Sequence, residues 1–256
     1  MNWRYLLGSS AAGLRDRCLS HSYFPLTRYV PPGMNCLYDM QRFANTKQFP
    51  TIFDVGANVG QSASGFVKFF PSAQILCFEP ASQPFAELSR AFASNPNVQC
   101  FNLALGSGKE RRNLSVAEGD SELNTFSTLR PDVAATIETV DVSTIDDVCR
   151  EWNLSSIDLL KMDVQGWELE ILKGAANTLR QKRVRFIFAE VGFSQGETDM
   201  TPFVDLHRAM EDLGFVFCGL YDCFRWGPHK SYVGFANALY VQPDFGSPAA
   251  EARLSD

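Results

Sequence analysis

Short apolar segments that suit buried strands alternate with amphipathic helical segments from residue 51 of this 256-residue chain onward. This alternation predicts an α/β fold in which helices cover both faces of a mostly parallel sheet. The last two strand-like segments have no helix between them, so they predict an antiparallel hairpin at the edge of the sheet. The strand-like segments are TIFDVGA, QILCFEP, VQCFNLALG, IDLLKMDVQG, RFIFAEVGF, FVFCGLYD and ANALYVQP.

The helical segments carry recognisable boundary residues. Ser82 is the predicted N-cap of the second helix, and Gly214 closes the last one. The predicted helices cover residues 61–70, 82–93, 168–179 and 202–213.

The rest of the chain divides around this α/β domain, which is predicted to span residues 46–246. Residues 1–45 are an irregular basic extension, and residues 247–256 form a tail. Residues 107–142 are polar and interrupted, so they are predicted to be an insertion with two short β segments. Because residues 1–50 hold six Lys and Arg against two acids, the remainder carries most of the negative charge. The extension is interpreted as a partly ordered arm, with membrane or partner contact as the alternative.

Overall charge and composition exclude several classes of function. The net charge of −6 and the pI of about 5.2 leave no basic surface to hold nucleic acid. No apolar run approaches the roughly 18 residues of a membrane span, so stable membrane insertion is not expected. Seven scattered cysteines without paired spacing are typical of a reducing compartment, and a cytoplasmic location is the expectation.

The first strand leads into a turn that predicts a ligand site. Asp54 ends the apolar run, and Gly56 and Gly60 follow within six residues. Ligands of open parallel sheets bind beyond the carboxyl ends of the strands. Glycines let the backbone pass close to a ligand, and the following helix presents free N–H groups.

Glu79 indicates the kind of ligand. It ends the second strand 19 residues after Gly60, where an acid can accept hydrogen bonds from both hydroxyls of a ribose. The spacing D-x-G-x-x-x-G differs from the G-x-G-x-x-G of a pyrophosphate site. Asp54 suits a cofactor with positive charge, and S-adenosylmethionine carries an ammonium and a sulfonium but no phosphate.

Two alternatives stay open at this point. A nicotinamide-dependent oxidoreductase is disfavoured by the glycine spacing, and none of the seven tyrosines has a lysine four residues later. A non-catalytic module that binds a nucleoside cofactor would share the same turn and the same acid.

Several motifs together resemble the FkbM family of S-adenosylmethionine-dependent methyltransferases, over roughly residues 30–243. The resemblance implies the class I methyltransferase (Rossmann-like) fold with a seven-stranded sheet. It also implies O-methylation of a sugar or natural product, with S-adenosylhomocysteine as the second product. The motifs are TIFDVGANVGQ, CFEP, ALG, IDLLKMDVQGWELEILKGA and AEVGF.

These motifs supply the residues expected around the cofactor and the acceptor. Family members differ in acceptor, and the insertion at 107–142 is where acceptor choice is expected. Asn124, Trp167 and Glu168 are the predicted acceptor-side residues, although Trp167 and Glu168 also suit structural roles at a helix start. The predicted cofactor residues are Asp54, Gly56, Ala57, Asn58, Gly60, Glu79, Pro80, Ala104, Leu105 and Asp163.

An alcohol is a weak nucleophile at neutral pH, so a base should take its proton during methyl transfer. Asp163, which ends the fourth strand, is the first candidate. Glu190, which ends the neighbouring fifth strand, is the second, and His229 in the loop between the last two strands is the third. Asp163 also suits a helix-capping role, and His229 a solvated loop. Asp163 and Glu190 together could hold a divalent cation, which is the alternative, but no clear third oxygen ligand follows Glu190, so no metal is expected.

Overall fold

The computed structural model describes residues 31–117, 121, 124–126, 134–193 and 200–246. The chain divides into two units, Met1–Lys47 and Gln48–Asp256. The predicted extension up to residue 30 and the predicted tail lie outside the described residues. In the first unit, helix α1 spans Cys36–Phe43, a segment that the sequence predicts to be irregular. The side chain of Asn35 accepts the N–H groups of Leu37 and Tyr38 and so starts this helix.

The second unit is built on a seven-stranded sheet. The strands of this sheet and of a smaller second sheet are β1 Thr51–Val55, β2 Gln74–Phe78, β3 Val98–Phe101, β4 Ala104–Leu105, β5 Glu110–Ala117, β6 Ala135–Ser143, β7 Ile157–Met162, β8 Val184–Gly192, β9 Val216–Trp226 and β10 Tyr232–Val241. The order is β3-β2-β1-β7-β8-β10-β9, and β10 runs antiparallel to both of its neighbours. The predicted class I methyltransferase fold, including its edge hairpin, is confirmed.

The helices differ from the predicted ones in three places. Ala81, not Ser82, is the N-cap of helix α3, Ser82–Phe92. Helix α4, Ile145–Glu151, was not predicted, although Thr144 caps it by accepting the N–H of Asp147. The predicted helix 168–179 is two short helices, because Gly174 is a poor helix former and ends the first of them. The bounds are α2 Gln61–Phe69, α3 Ser82–Phe92, α4 Ile145–Glu151, α5 Glu168–Gly174, α6 Ala176–Arg180 and α7 Phe203–Asp212.

The central strands are buried and mostly apolar, but β1 and β7 also carry the charged residues Asp54, Asp158 and Lys161. Every residue of β1 and of β7 is buried. Asp54 on β1 and Lys161 on β7 are charged, and they are direct partners in the parallel register of these two strands. Buried charges are unfavourable unless they are paired. At this pair, two charged side chains that face each other across the strands therefore replace apolar packing in the sheet.

A second, smaller sheet has the order β4-β6-β5. The predicted third strand is split between the two sheets after Phe101, because the side chain of Asn102 donates to the carbonyls of Glu79 and Pro80 and turns the chain. The predicted insertion supplies β5 and most of β6, which pair antiparallel. Among the helices of the described residues, none combines the length and apolar character that crossing a bilayer requires.

Candidate active site

The carboxyl ends of β1, β2, β7 and β8 open into one cavity of about 270 Å³. Side chains from the small sheet and its connecting segment close it on the other side. Four predicted site residues, Asp54, Gly60, Glu168 and His229, are absent from the described lining. Those that do line the cavity are Gly56, Ala57, Asn58, Glu79, Pro80, Ala104, Leu105, Asn124, Asp163, Trp167 and Glu190.

Lys161 connects the elements beneath the cavity. Its Nζ lies 3.1 Å from Oδ1 of Asp54 and 3.3 Å from Oδ2 of Asp163, and it donates to the carbonyl of Gly56 over 3.2 Å. Burial alone would lower the pKa of Lys161, but the two carboxylates outweigh burial and raise it. The charge of Asp54, predicted to face the cofactor, is thus paired with Lys161 inside the protein.

The glycines of the first turn make room for the protein's own atoms. Gly56 has a φ of 74°, and a Cβ there would lie 1.9 Å from the backbone oxygen of Asp163. A Cβ on Gly60 would lie 2.5 Å from the ring of Phe92. The sequence predicts both glycines for close approach to a ligand, whereas the structure gives each a packing reason as well.

Glu79 lies at the cavity wall, and only part of the hydrogen-bond acceptor capacity of its carboxylate is taken up by the protein. Its two carboxylate oxygens accept the N–H groups of Asn58 and Ala81, each over 2.9 Å. Burial raises the pKa of Glu79 to about 7, although these two hydrogen bonds oppose the rise. An ionised carboxylate offers about four acceptor sites, so acceptor capacity remains for a ligand in the cavity.

Asp163 and Glu190 line the same cavity from neighbouring strands. The Asp163 side chain is 40% exposed and is ion-paired with Lys161. Glu190 accepts a hydrogen bond from the side chain of Gln165 over 3.0 Å. Burial, together with the charges of Asp163 and Glu168, raises the pKa of Glu190 to about 8. The carboxylate of Asp163 is therefore ion-paired with the Lys161 ammonium, whereas that of Glu190 gains or loses a proton near neutral pH.

The segment between β5 and β6 is bonded to two of the site's turns. The hydroxyl of Ser121 donates to the side chain of Asn58 over 2.7 Å, and that of Thr125 donates to the carbonyl of Gln165 over 2.9 Å. Asn124 accepts the N–H of Ala117 over 3.0 Å, and its buried Nδ2 has no hydrogen-bond partner among the described residues. An insertion that is tied to the cavity in this way is placed to influence what enters it.

Trp167 is part of an aromatic and cationic cluster at the cavity wall. Its ring centroid lies 5.0 Å from that of Phe126, which also lines the cavity. The guanidinium carbon of Arg112 lies 4.4 Å from the centroid of the Trp167 ring. Trp167 therefore both lines the cavity and packs against Phe126 and Arg112, so each of its two predicted roles is in part consistent with the structure.

Glu168 and His229 lie elsewhere. Glu168 is 1% exposed and accepts hydrogen bonds from the N–H of Val164 and the hydroxyl of Thr201, so it stabilises the start of α5. His229 lies in the exposed turn between β9 and β10, outside the cavity lining. The structure does not bring His229 together with Asp163 and Glu190.

Several residues of the cavity lining were not predicted from the sequence, among them Lys161, Gln165 and Phe235. Lys161 had a signal, since a lysine inside the apolar run IDLLKM needs a buried partner. Phe235 reaches the cavity through the pairing of β10 with β8, and no local pattern indicates it.

Comparison with known proteins assigns the family. A family described as methyltransferase FkbM domain matches residues 54–217. The 2-O-methyltransferase NoeI of Sinorhizobium fredii is 29% identical over 64% of this chain and 74% of its own. Methyltransferase sdnD of Sordaria araneosa is 33% identical over 73% of this chain and 81% of its own. The hexuronic acid methyltransferase AglP of Haloferax volcanii is 25% identical over 59% of each.

Among solved structures, the METTL16 methyltransferase domain matches with a TM-score of 0.48 and 12% identity, over 86% of this chain and 71% of that one.

The family match alone spans well over half of the sequence. The five motifs given above lie inside it except for the first three residues of TIFDVGANVGQ, whereas the predicted resemblance extends further, over roughly residues 30–243. This chain belongs to the FkbM family of methyltransferases.

Proposed function

We propose that this protein transfers the methyl group of S-adenosylmethionine to a hydroxyl oxygen of a saccharide or a related small molecule. The observation that carries the proposal is the presence of Glu79 and Glu190 in one cavity, the first suited to a ribose and the second to proton removal. Two relatives support the acceptor class, since one is named a 2-O-methyltransferase and another a hexuronic acid methyltransferase.

We assign the donor to the part of the cavity between β1 and β4. Glu79 would accept hydrogen bonds from the two ribose hydroxyls. Pro80, Ala104 and Leu105 offer an apolar wall for the adenine, and the carboxylate of Asp163 would face the positive charge of the donor. Such an arrangement leaves the Glu190 side of the cavity for the acceptor.

We assign the general base to Glu190. An ion-paired carboxylate is a poorer proton acceptor than an unpaired one, and Asp163 is paired with the Lys161 ammonium. The pKa of Glu190, raised to about 8, suits removal of a proton near neutral pH. Asp163 then serves to position Lys161 and to stabilise the charge of the donor, a role different from the one ranked first on sequence alone.

The direct test combines the purified protein with isotopically labelled S-adenosylmethionine and a panel of saccharides, followed by mass spectrometry of the acceptors. A labelled methyl ether on a saccharide, absent from a Glu190→Gln control, is the expected result. Donor binding without transfer to any member of a broad panel would instead favour the non-catalytic module.

Replacing Glu79 with glutamine is expected to weaken binding of S-adenosylhomocysteine by about 10- to 100-fold. The substitution keeps the side-chain size but removes one charge-assisted hydrogen bond to the ribose, worth on the order of 1.5–3 kcal/mol. Isothermal titration calorimetry measures the change. Asp158→Asn is the matched control, because Asp158 is also a buried carboxylate that accepts a backbone N–H, from Thr51 on the neighbouring strand. Equal affinities of both variants and the wild type would refute the ribose assignment.

Methyl transfer is expected to continue after exhaustive treatment with EDTA and dialysis. The physical reason is that the ammonium of Lys161, 3.3 Å from Asp163, already occupies the cation position beside that carboxylate. Turnover before and after treatment is compared, with added Mg²⁺ or Mn²⁺ as the second arm. A loss of turnover that either metal restores would support a metal-dependent mechanism and contradict this assignment.

A further inference from the structure

The hairpin of β9 and β10 carries a group of aromatic side chains near its turn. Three of them are substantially exposed: Phe224 by 39%, Trp226 by 41% and Tyr232 by 53%. The fourth, Phe235, is partly buried and lines the cavity. Exposed aromatic side chains that adjoin one another mark interaction sites more often than scattered ones. We call these four residues the aromatic platform.

The register of the hairpin places the four rings on one face. Phe224 pairs with Phe235, and Trp226 pairs with Tyr232, so each pair points to the same side of the sheet. The rings of Phe224 and Phe235 are stacked with centroids 4.9 Å apart, and those of Phe224 and Trp226 lie 4.7 Å apart. Phe224 is therefore in ring contact with both Phe235 and Trp226, and Tyr232 adjoins this group through its pairing with Trp226.

Two glycines allow the platform rings to lie against the backbone. A Cβ on Gly234 would lie 1.7 Å from Nε1 of Trp226, and a Cβ on Gly227 would lie 2.2 Å from the ring of Tyr232. The carbonyl of Gly234 also accepts the N–H of Phe193 over 2.8 Å, which ties this part of the hairpin to the end of β8. The platform is thus held in position by main-chain contacts.

The platform is continuous with the cavity at the position of Glu190. On β10, Phe235 pairs with Gly192 of β8, and Asn237 pairs with Glu190. Side chains two residues apart on a strand share a face. Phe235 and Glu190 therefore lie on the same side of the sheet, and both line the cavity.

We propose that the aromatic platform is a saccharide subsite, which holds a pyranose ring of the acceptor next to the ring that is methylated. The inference rests on the proposed function, since it extends the acceptor from the cavity onto the adjoining surface. A pyranose ring presents an apolar face of C–H groups to an aromatic ring and keeps its hydroxyls at the edge. The ammonium of Lys230, 5.9 Å from the centroid of the Phe224 ring, supplies a hydrogen-bond donor at the platform's rim.

A second copy of the chain is a less suitable occupant. The pairing of β9 with β10 contains three register shifts, and such irregularities hinder the addition of another strand to an edge. The aromatic rings also lie on the face of the hairpin, where a planar ring can stack, and not along its hydrogen-bonding edge. The observations therefore favour a saccharide over strand-to-strand dimerisation.

The experiment titrates three soluble pyranose oligomers, cellohexaose, chitohexaose and hexagalacturonate, into the full-length protein and measures binding by calorimetry. We expect at least one of them to bind, and Trp226→Ala to raise its Kd by about tenfold or more. Trp226→Phe keeps a stacking ring and should recover part of the affinity. Trp152→Ala is the matched control, since Trp152 is 38% exposed outside the cavity lining and should leave the Kd unchanged.

Separate outcomes overturn the subsite and the proposed function. No binding of any oligomer to the wild type at millimolar concentration, or an unchanged Kd in Trp226→Ala, overturns the subsite. Sedimentation in which Trp226→Ala dissociates a dimer, with oligomer affinity unchanged, also overturns it and identifies a second copy as the occupant. S-adenosylhomocysteine affinity is measured on the same samples, and its absence refutes the proposed function whatever the oligomers do.

Discussion

Replacing Glu190 with glutamine is expected to lower the rate of methyl transfer by about 10²–10⁴-fold, the usual contribution of a general base. Glutamine keeps the size of the side chain, and its amide oxygen can still accept the hydrogen bond from Gln165. It cannot take the proton of an acceptor hydroxyl. Single-turnover experiments at saturating donor measure the chemical step, and the affinity for S-adenosylhomocysteine should change far less than the rate.

Asp163→Asn is the comparison that makes this result specific. If Asp163 positions Lys161 and faces the donor, its replacement should weaken binding of S-adenosylmethionine more than that of S-adenosylhomocysteine, which lacks the sulfonium. Its rate at saturating donor should fall by less than about tenfold. The opposite pattern, a large rate loss in Asp163→Asn and a small one in Glu190→Gln, would exchange the two roles.

The pH dependence of the wild type provides a second measurement of the same assignment. A base must be deprotonated to act, so kcat/KM should rise with pH and level off above the pKa of about 8 that Glu190 has without ligands. The positive charge of a bound donor should lower the pKa of Glu190, so the corresponding rise in kcat should occur at lower pH. The rise in kcat should be absent from Glu190→Gln.

The same raised pKa values contribute to the pH dependence of stability. The pKa of Glu79 is about 7 and that of Glu190 about 8 in the folded protein, both above the ordinary value of 4.5. Between pH 4.5 and 8 the folded state therefore binds more protons than the unfolded state. By linkage, these two groups make the ligand-free protein less stable as pH rises through that interval.

The sheet was predictable because its signal is local and repeated. The strands β1, β7 and β8 are apolar runs in the sequence, and each run predicts a buried strand of a parallel sheet. The split between β3 and β4 was not predictable from that signal. It depends on hydrogen bonds from Asn102 to carbonyl groups more than twenty residues away, and apolar patterning contains no information about them.

The site was predictable to the extent that it lies at strand ends. That Glu79 and Glu190 line one cavity was predictable because the carboxyl ends of parallel strands meet at one edge of the sheet. His229 was a weaker prediction, since it lies in a loop whose direction depends on the hairpin as a whole. Phe235 enters the cavity only through the pairing of β10 with β8, which the sequence does not specify residue by residue.

Lys161 was not among the predicted site residues. Among the substitutions proposed here, its replacement by methionine is expected to reduce the stability of the protein most. Methionine matches the length of the side chain but removes the charge. Asp54, which is completely buried, would then lack its cation, and breaking a buried pair from one side typically costs about 3–5 kcal/mol. Urea unfolding followed by circular dichroism measures the loss in the free energy of unfolding.

Three further variants, Lys182→Met, Asp54→Asn and the double variant Lys161→Met/Asp54→Asn, separate the loss of the buried pair from a general effect of removing a lysine. Lys182→Met removes an exposed ion pair with Asp244 and should cost less than about 1 kcal/mol. The double variant Lys161→Met/Asp54→Asn removes both buried charges of the pair, so it should be more stable than Lys161→Met alone, because no charge of Asp54 is left unpaired. If the double variant is instead destabilised by the sum of the two single effects, the charges are not coupled. Lys161 would then stabilise the first turn through Gly56 and Asp163 alone, and its contact with Asp54 would contribute nothing measurable.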